Sequence, residues 1–329
     1  MKKGKSLMLS LLALSLLVFL GACSSNTAAG EEQIVIQTNG DEEAVMAMEN
    51  ALKNAGYEGK YVLQSLGTSE LGGKLIAEGD QIEADLVTMS SYFLESAQAK
   101  HSMFKDLTFT TGALEKTPNY YTPILALTGS IFVNTEVLNQ KGLDMPASIK
   151  DLTAKEYEGL VSIPNIMDSS TGWLLVQAII SQYGEEEGKT ILKDLIKNSG
   201  PHLESSGSGP IKKVLAGETA AGFGLRHQAV EAKESGGPIQ YIDPTEGNFS
   251  LTESIAVIDK GNEKTKLAME MAEVIMKDAR EELIKYYPVA LYEEEKVSDD
   301  NVPAHSKKFE EPLTVELLKK HQDIFNSAK

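Results

Sequence analysis

The chain is predicted to belong to the α/β fold class, because short apolar runs alternate with amphipathic segments along most of its length. Residues 34–36, 61–63 and 85–89 are rich in aliphatic side chains and are typical of strands. Between them, residues 41–55 and 69–78 place apolar residues at helical spacing. This β-α-β-α-β order predicts a parallel sheet that is covered by helices.

The middle and the end of the chain continue this pattern. Further strands are expected at residues 129–133, 159–163, 220–225 and 239–242. Further helices are expected at residues 172–183, 185–198, 264–286 and 314–327. A chain of 329 residues exceeds the usual size of one domain, so two lobes are expected.

Residues 1–22 have the pattern of a secretory signal peptide. Three lysines precede an apolar stretch from Leu7 to Leu20, and small residues lead into Cys23, the single cysteine of the chain. This arrangement resembles the lipobox of bacterial lipoproteins. The resemblance implies that the signal is removed and that Cys23 becomes the acylated first residue, which carries fatty-acyl chains such as palmitate.

The alternative for the same stretch is a transmembrane anchor. The apolar run is shorter than the roughly 20 residues that a membrane-spanning helix needs, which favours the lipoprotein. Residues 23–30 are small and polar, and they predict a flexible tether. We therefore expect an extracytoplasmic protein that a lipid anchors to the periplasmic or outer face of the cell membrane.

The charge of the chain excludes several classes of partner. The formal net charge is −17, and the predicted signal contains lysines but no acidic residue, so the mature chain is more acidic still. Nucleic acids and anionic lipid surfaces both require basic protein surfaces. Since no thiol remains after Cys23, disulfides, cysteine–zinc sites and thiol catalysis are excluded as well.

Four loops place Ser, Thr or Gly where a helix is expected to begin. They are residues 66–70, 89–92, 168–173 and 205–210. The first turn of a helix has free N–H groups and the positive end of the helix dipole, which favour an anion. Each loop alone can be an ordinary N-cap. Open α/β sheets bind ligands at the carboxyl ends of their strands, so the four loops together predict an anion site.

Arg226 and His227 follow the expected strand 220–225 and therefore lie near the same edge of the sheet. A guanidinium can form two parallel hydrogen bonds with a tetrahedral oxyanion. The alternatives are an arginine in an ion pair and a histidine with a structural role. A cationic group on the ligand would need carboxylates or aromatic faces. The available ones are Asp168, Glu246, Glu253, Tyr92, Tyr120 and Trp173.

The lipobox, the two α/β halves and two stretches of the chain together carry a family resemblance. Residues 217–224 together with 244–247 resemble the substrate-binding proteins of ABC importers, in the type II subgroup that includes ferric-ion, hexose-phosphate and phosphonate binders. Residues 224–230 and 243–254 are most similar to the 2-aminoethylphosphonate binders. The resemblance covers essentially the whole mature chain.

This resemblance implies a periplasmic-binding-protein type II fold, a two-lobed Venus-flytrap with two crossover strands. Lobe 1 would comprise residues 31–127 and 250–329, and lobe 2 residues 128–249. A monomer would close on its ligand by a hinge motion and be recognised by the transmembrane subunits of an ABC permease. No cofactor and no metal are expected, and the ligand would be a small phosphonate.

The expected ligand contacts come from the anion loops, the arginine segment and one carboxylate. They are Asn39, Thr68, Ser69, Ser90, Tyr92, Ser170, Thr171, Gly172, Arg226, His227 and Glu246. Two other ligands stay open, a ferric ion and a hexose phosphate. In the ferric members adjacent tyrosines follow the strand that corresponds to residues 220–225, and here Arg226 and His227 occupy that place. An arginine would repel the iron cation, which disfavours iron.

Two other classes of protein compete with a binding protein. A surface-anchored hydrolase would need a nucleophile with its base, and the chain contains neither Gly-x-Ser-x-Gly nor His-Glu-x-x-His. Its five histidines are scattered along the sequence. An adhesin or scaffold lipoprotein would need no small-molecule site at all.

Overall fold

The computed structural model describes residues 33–298 and 301–329. The predicted signal peptide, Cys23 and the tether lie outside the described residues. Within residues 33–298 and 301–329, no helix combines the length and the apolar character that crossing a bilayer requires.

The first third of the chain forms the predicted parallel β-α-β-α-β unit. Its elements are β1 (Ile34–Thr38), α1 (Glu42–Asn54), β2 (Tyr61–Ser65), α2 (Thr68–Glu78), β3 (Leu86–Ser90) and α3 (Ser91–His101). Strand β1 lies between β2 and β3 and is parallel to both, with Ile36 beside Leu63 on one side and Leu86 on the other. Helices α1, α2 and α3 therefore all begin at the same edge of the sheet.

Two long strands run through the centre of the sheet. They are β4 (Tyr121–Asn134) and β9 (Asn248–Val257). The two strands pair antiparallel, from the pair Tyr121–Ala256 to the pair Thr128–Ser250. Strand β9 is also antiparallel to β3, so the sheet is mixed rather than purely parallel. All 14 residues of β4 are buried, which accounts for its long apolar sequence.

The second half of β4 belongs to the other end of the sheet. There it pairs with β7 (Ala221–Leu225) and with β8 (Ile239–Ile242), both antiparallel. The strand predicted at 129–133 is thus the end of a longer strand. The remaining strands at this end are β5 (Val161–Pro164), which is parallel to β7, and β6 (Leu203–Glu204).

Four α-helices accompany these strands: α4 (Thr135–Lys141), α5 (Ser170–Ser199), α6 (Gly209–Leu215) and α7 (Arg226–Glu234). Short 3-10 turns lie at Gly79–Gln81, Lys150–Thr153, Lys155–Tyr157 and Gly200–His202. The two helices predicted at 172–183 and 185–198 are confirmed as the two helical segments of α5, which meet at Gly184, where a non-helical backbone with φ of 72° suits a residue without a Cβ. In sheet order the strands are β2-β1-β3-β9-β4-β7-β5-β6.

The C-terminal part returns across the sheet. It contains α8 (Glu263–Val274), a π-helical turn (Ile275–Ala279), α9 (Arg280–Tyr286), β10 (Ser306–Lys307) and α10 (Val315–Ala328). The helix predicted at 264–286 is therefore interrupted by a π-turn. Helix α10 packs on α5, where Trp173 Nε1 donates to His321 Nδ1 over 2.8 Å and Phe325 is fully buried. The α/β fold class is confirmed.

Adjacent glycines in α2 provide a test of the packing between α2 and α3. A Cβ at Gly72 would lie 2.4 Å from the ring of Phe93, whereas a Cβ at Gly73 would meet open space. Gly72→Ala should lower the free energy of unfolding by about 1–3 kcal/mol because the ring must move. Gly73→Ala is the matched control and should raise it by about 0.5–1 kcal/mol through helix propensity. Urea unfolding measures both, and a neutral Gly72→Ala would contradict the packing.

Candidate functional site

Five helices begin around one region of the molecule, each at the carboxyl end of a strand. Helices α1, α2 and α3 follow β1, β2 and β3, and α5 and α7 follow β5 and β7. Two contacts join the group of α1, α2 and α3 to the segments that precede α5 and α6. Ser69 of α2 donates its hydroxyl to the carbonyl oxygen of Met167 over 2.5 Å, and Asp41, just before α1, is hydrogen-bonded by Ser208, just before α6. The positive ends of several helix dipoles therefore converge here.

Glu253 of β9 lies at the centre of the first group of helix starts. Ser90, the N-cap of α3, donates to Glu253 Oε1 over 2.7 Å. With its amide oriented to satisfy both neighbours, Asn39 donates to Glu253 Oε2 over 2.9 Å and accepts from Thr68 Oγ1 over 3.0 Å. Three of the predicted contacts, Asn39, Thr68 and Ser90, thus surround one carboxyl group.

The Glu253 carboxyl group is almost completely enclosed, with 4% of the residue exposed. Burial raises its pKa to about 7, which the hydrogen bonds from Ser90 and Asn39 only partly oppose, and the charge of Asp41 adds to the rise. Burial and the charge of Glu43 also raise the pKa of Asp41, to about 6. Perturbed carboxyl groups of this kind are a mark of functional sites.

Two tyrosine hydroxyls are enclosed beside these carboxyl groups. Tyr92 and Tyr287 are 3% and 1% exposed, and neither hydroxyl forms a hydrogen bond of normal geometry with another described residue, although Ser90 and the Ala44 backbone lie close enough to oppose part of the rise in the pKa of Tyr92 and of Tyr287, respectively. Burial raises the pKa of both phenols, and the charge of Glu253 contributes at each. The Tyr92 ring packs edge-on against Trp173, with 4.9 Å between ring centroids. Tyr92, another predicted contact, thus joins the Glu253 cluster.

The start of α5 forms the facing side. The Ser169 side chain caps the helix by accepting from the Thr171 backbone nitrogen over 3.3 Å, and Ser170, Thr171 and Gly172 are buried in the first turn. A Cβ at Gly207 would lie 2.2 Å from Thr171 Oγ1, so only glycine lets the loop 205–208 approach the helix so closely. Hydroxyls and free backbone N–H groups at this turn suit a tetrahedral oxyanion.

Arg226 is held in an ion pair with Asp243. Its Nε donates to Asp243 Oδ1 over 2.8 Å, and the side chains are 5% and 11% exposed. The guanidinium also lies over the Tyr241 ring, 4.6 Å from its centroid, and donates to the carbonyl oxygen of Asn301. Burial alone would raise the pKa of Asp243, but hydrogen bonds from Arg226 and from the Ala304 backbone hold it below its usual value. The hydrogen bonds from Arg226 to Asn301 and from the Ala304 backbone to Asp243 join this ion pair to residues 301–304.

His227 is buried against Tyr287, with ring centroids 4.4 Å apart. Burial lowers its pKa to about 3, so the ring is neutral at physiological pH. Its Nε2 has no hydrogen-bond partner among the described residues. The ring can therefore exchange a hydrogen bond with a ligand but adds no positive charge.

The structure does not bring Glu246 to this region. Its fully buried carboxylate accepts from the backbone nitrogens of Ile149 and Lys150 over 2.9 and 3.0 Å and from the Tyr183 hydroxyl over 3.0 Å. It therefore caps the 3-10 turn at Lys150–Thr153. The predicted contact set omitted Glu253 and Asp41. An acidic residue directly before helix α1, in the short loop after strand β1, was the available signal for Asp41.

A cavity of about 920 Å³ lies beside this region. It is lined by alternate residues of β9, Ser250, Thr252 and Ser254, and by Ser91 and Tyr92 of α3. Of the Glu253 cluster it touches only Tyr92. Residues 33–298 and 301–329 contain no group of three or more His, Cys, Asp or Glu side chains arranged to hold a metal ion.

Comparison with known proteins identifies the family. The sequence profile of the bacterial extracellular solute-binding proteins matches residues 83–308. A protein of unassigned function from Haemophilus influenzae is 31% identical over 116 residues, which is 35% of this chain and 33% of that protein. The chain therefore matches only about a third of the length of that relative.

Solved structures share the fold. AfuA of Actinobacillus pleuropneumoniae, with fructose-6-phosphate bound, superposes with a TM-score of 0.68 and 19% identity over 90% of this chain and 97% of that one. Iron-bound HitA of Pseudomonas aeruginosa gives a TM-score of 0.70 and 16% identity over 90% and 99%. At these identities the likeness extends to the fold alone, which is the predicted type II periplasmic binding protein fold.

Replacement of Glu253 tests its raised pKa through protein stability. Because the folded state holds this proton more tightly than the unfolded chain, stability contributed by the protonated form is lost as the pH rises from about 4.5 to about 7. Glu253→Gln cannot ionise. It should gain about 1–3 kcal/mol relative to the wild type between pH 5 and pH 8 in urea unfolding without ligand. The exposed Glu83→Gln is the control, and a difference that does not vary with pH would refute the shift.

Removal of the Arg226 side chain tests its assignment to Asp243. Arg226→Ala leaves the largely buried Asp243 carboxylate without its partner, so the free energy of unfolding should fall by about 3 kcal/mol. Arg226→Lys keeps the charge but loses the forked geometry, so its free energy of unfolding should lie between those of the wild type and Arg226→Ala. Urea unfolding at neutral pH measures all three proteins. Wild-type stability in Arg226→Ala would show that the ion pair is not formed.

Proposed function

We propose that this chain, which belongs to the bacterial extracellular solute-binding protein family, delivers a small phosphonate to the permease of an ABC importer. The family places the protein outside the cytoplasm as a binder of solutes. In our proposal Cys23 carries the lipid that keeps the protein at the membrane, and the protein acts as a monomer without catalysis. 2-Aminoethylphosphonate is the candidate ligand.

The observation that supports an anionic ligand is the meeting of α2 and α5. Ser69 in the first turn of α2 reaches the backbone of Met167, just before α5. Ser170 and Thr171 then add two hydroxyls in the first turn of α5, beside the positive end of its dipole. A phosphonate has three oxygens that accept hydrogen bonds, so it matches several donors from two helix starts without any basic side chain.

The same contacts suggest how the ligand is enclosed. We assign residues 31–127 and 250–329 to one lobe and residues 128–249 to the other, so that β4 and β9 are the crossover strands. The Ser69–Met167 and Asp41–Ser208 contacts then bridge the two lobes. Opening would break these few polar contacts, while the strand pairing between β4 and β9 persists as the hinge.

Two alternative ligands share part of this chemistry. A hexose phosphate presents the same tetrahedral oxyanion and would use the same helix starts. A ferric ion requires anionic oxygen ligands, and the positions after β7 hold an arginine in an ion pair and a neutral histidine. The site chemistry therefore favours a phosphorus oxyanion over iron.

A ligand panel tests the proposed function directly. 2-Aminoethylphosphonate should raise the melting temperature and give a binding heat in calorimetric titration, because a ligand that binds only the folded state stabilises it. Inorganic phosphate, hexose phosphates and ferric citrate complete the panel. Binding of ferric citrate alone, or of no phosphorus compound, would overturn the proposal.

Removal of the Thr171 hydroxyl tests whether the start of α5 binds the oxyanion. Thr171→Val keeps the side-chain volume but removes a donor, so it should weaken phosphonate binding by about 1–2 kcal/mol. Thr190→Val, at an exposed position of the same helix, is the matched control and should bind as the wild type does. Equal affinities in both variants would exclude the start of α5 from the site.

A further inference from the structure

We infer that Glu253, assisted by Asp41, accepts a protonated amine of the ligand and thereby selects zwitterionic phosphonates over their amine-free analogues. This inference rests on the proposed function, since it assigns the second end of the same ligand. It differs from the sequence expectation, in which Glu246 was the carboxylate of the site.

The first argument is that one anion position is already filled by the protein. The starts of α1, α2 and α3 would each favour an anion, yet Asn39, Thr68 and Ser90 at these starts are arranged around the Glu253 carboxyl group. Ser90 and Asn39 donate to its two oxygens over 2.7 and 2.9 Å, and Thr68 donates to Asn39. A phosphonate beside this carboxylate would meet repulsion, so the phosphonate belongs to the α5 side.

The second argument is that this carboxyl group lacks a cation. No basic side chain of the described residues contributes to the pKa of Glu253, while its acidic neighbour Asp41 raises it. The pKa of Asp41 is raised by burial and by the charge of Glu43, which Ser208 and Lys212 oppose only in part. The Arg226 guanidinium is paired with Asp243. A buried carboxyl group without a cation, beside a second one whose pKa is also raised, forms a place where an ammonium group is favourable.

The third argument comes from enclosed oxygen atoms beside the carboxyl group. Tyr92 and Tyr287 are more than nine-tenths buried, their hydroxyls form no hydrogen bond of normal geometry with described residues, and both phenols feel the charge of Glu253. A primary ammonium group has three N–H donors. Glu253 can accept one, and the phenol oxygens offer acceptors for the others. Behind Tyr287 the neutral ring of His227 adds no competing positive charge.

The chemistry of binding then includes an exchange of a proton. When Glu253 is protonated, an incoming ammonium keeps its own three protons and the carboxyl proton leaves to solvent, so the bound pair is an ammonium and a carboxylate. Burial raises the pKa of Glu253 to about 7 and that of Asp41 to about 6, so this release occurs between pH 5 and pH 7. The affinity for the amine should therefore rise with pH in this window.

The experiment compares 2-aminoethylphosphonate with ethylphosphonate, which has the same phosphonate but no amine. Calorimetric titration of the full mature chain at pH 8 should show at least a tenfold preference for 2-aminoethylphosphonate. At pH 5.5 the preference of the wild type should shrink more than that of Glu253→Gln, and the ionisation of the two phosphonates cancels in this comparison of two proteins. Glu253→Gln should lose most of the preference, and Glu83→Gln should behave as the wild type does.

A second measurement counts protons. Titrations of the wild type and of Glu253→Gln at pH 6 in two buffers with different ionisation enthalpies give the protons released on binding. 2-Aminoethylphosphonate should release more protons from the wild type than from Glu253→Gln, because its own ionisation is the same in both titrations. Equal affinities of the wild type for the two ligands, equal proton counts for the two proteins, or a preference that survives in Glu253→Gln would overturn the amine site while phosphonate binding stands. Binding of neither ligand would instead refute the proposed function itself, and the amine site with it.

Discussion

The antiparallel pairing of β4 with β9 is the constraint on which the rest of the structure depends. Strand β4 belongs to both ends of the sheet, because it pairs with β9 through its first half and with β7 and β8 through its second. Helices follow the parallel strands at both ends and begin at their carboxyl edges. The continuous strands therefore place two groups of helix starts opposite each other. The paired strands can bend, but their buried apolar side chains keep them from separating.

Electrostatics divide the resulting site into two ends. On one side the helix starts act on the Glu253 carboxyl group, and on the other, in our proposal, the start of α5 binds the external anion. Glu253 is held by Ser90 and Asn39 rather than by a cation, so its ionised form is costly in the absence of a ligand. Such a group weakens the folded state in exchange for selectivity, which is a common arrangement at binding sites. The proposed zwitterionic ligand would supply the missing charge.

Most of the fold and part of the site could be predicted from the sequence. The first β-α-β-α-β unit was predicted almost completely, because apolar periodicity of 2 and 3.6 residues is a local property. Asn39, Thr68, Ser90 and Tyr92 were also predicted, since residues that follow parallel strands meet at one edge whatever the details of packing. The role of Arg226 could not be predicted in this way. Its partner Asp243 is 17 residues away in the chain, and an arginine after a strand is equally suited to a ligand or to an ion pair.

By itself the sequence determined the α/β class, the position of the helix starts and the acidic character of the chain, because each depends on neighbouring residues or on composition. Only the tertiary structure decided which carboxylate lies at the site. Glu246 and Glu253 are seven residues apart and chemically identical, yet one caps a turn at Lys150 and the other lies among three helix starts. The difference is made by residues up to about 200 positions away, which β9 reaches only through its pairing with β3 and β4. Burial and charge at a side chain are properties of its surroundings in space.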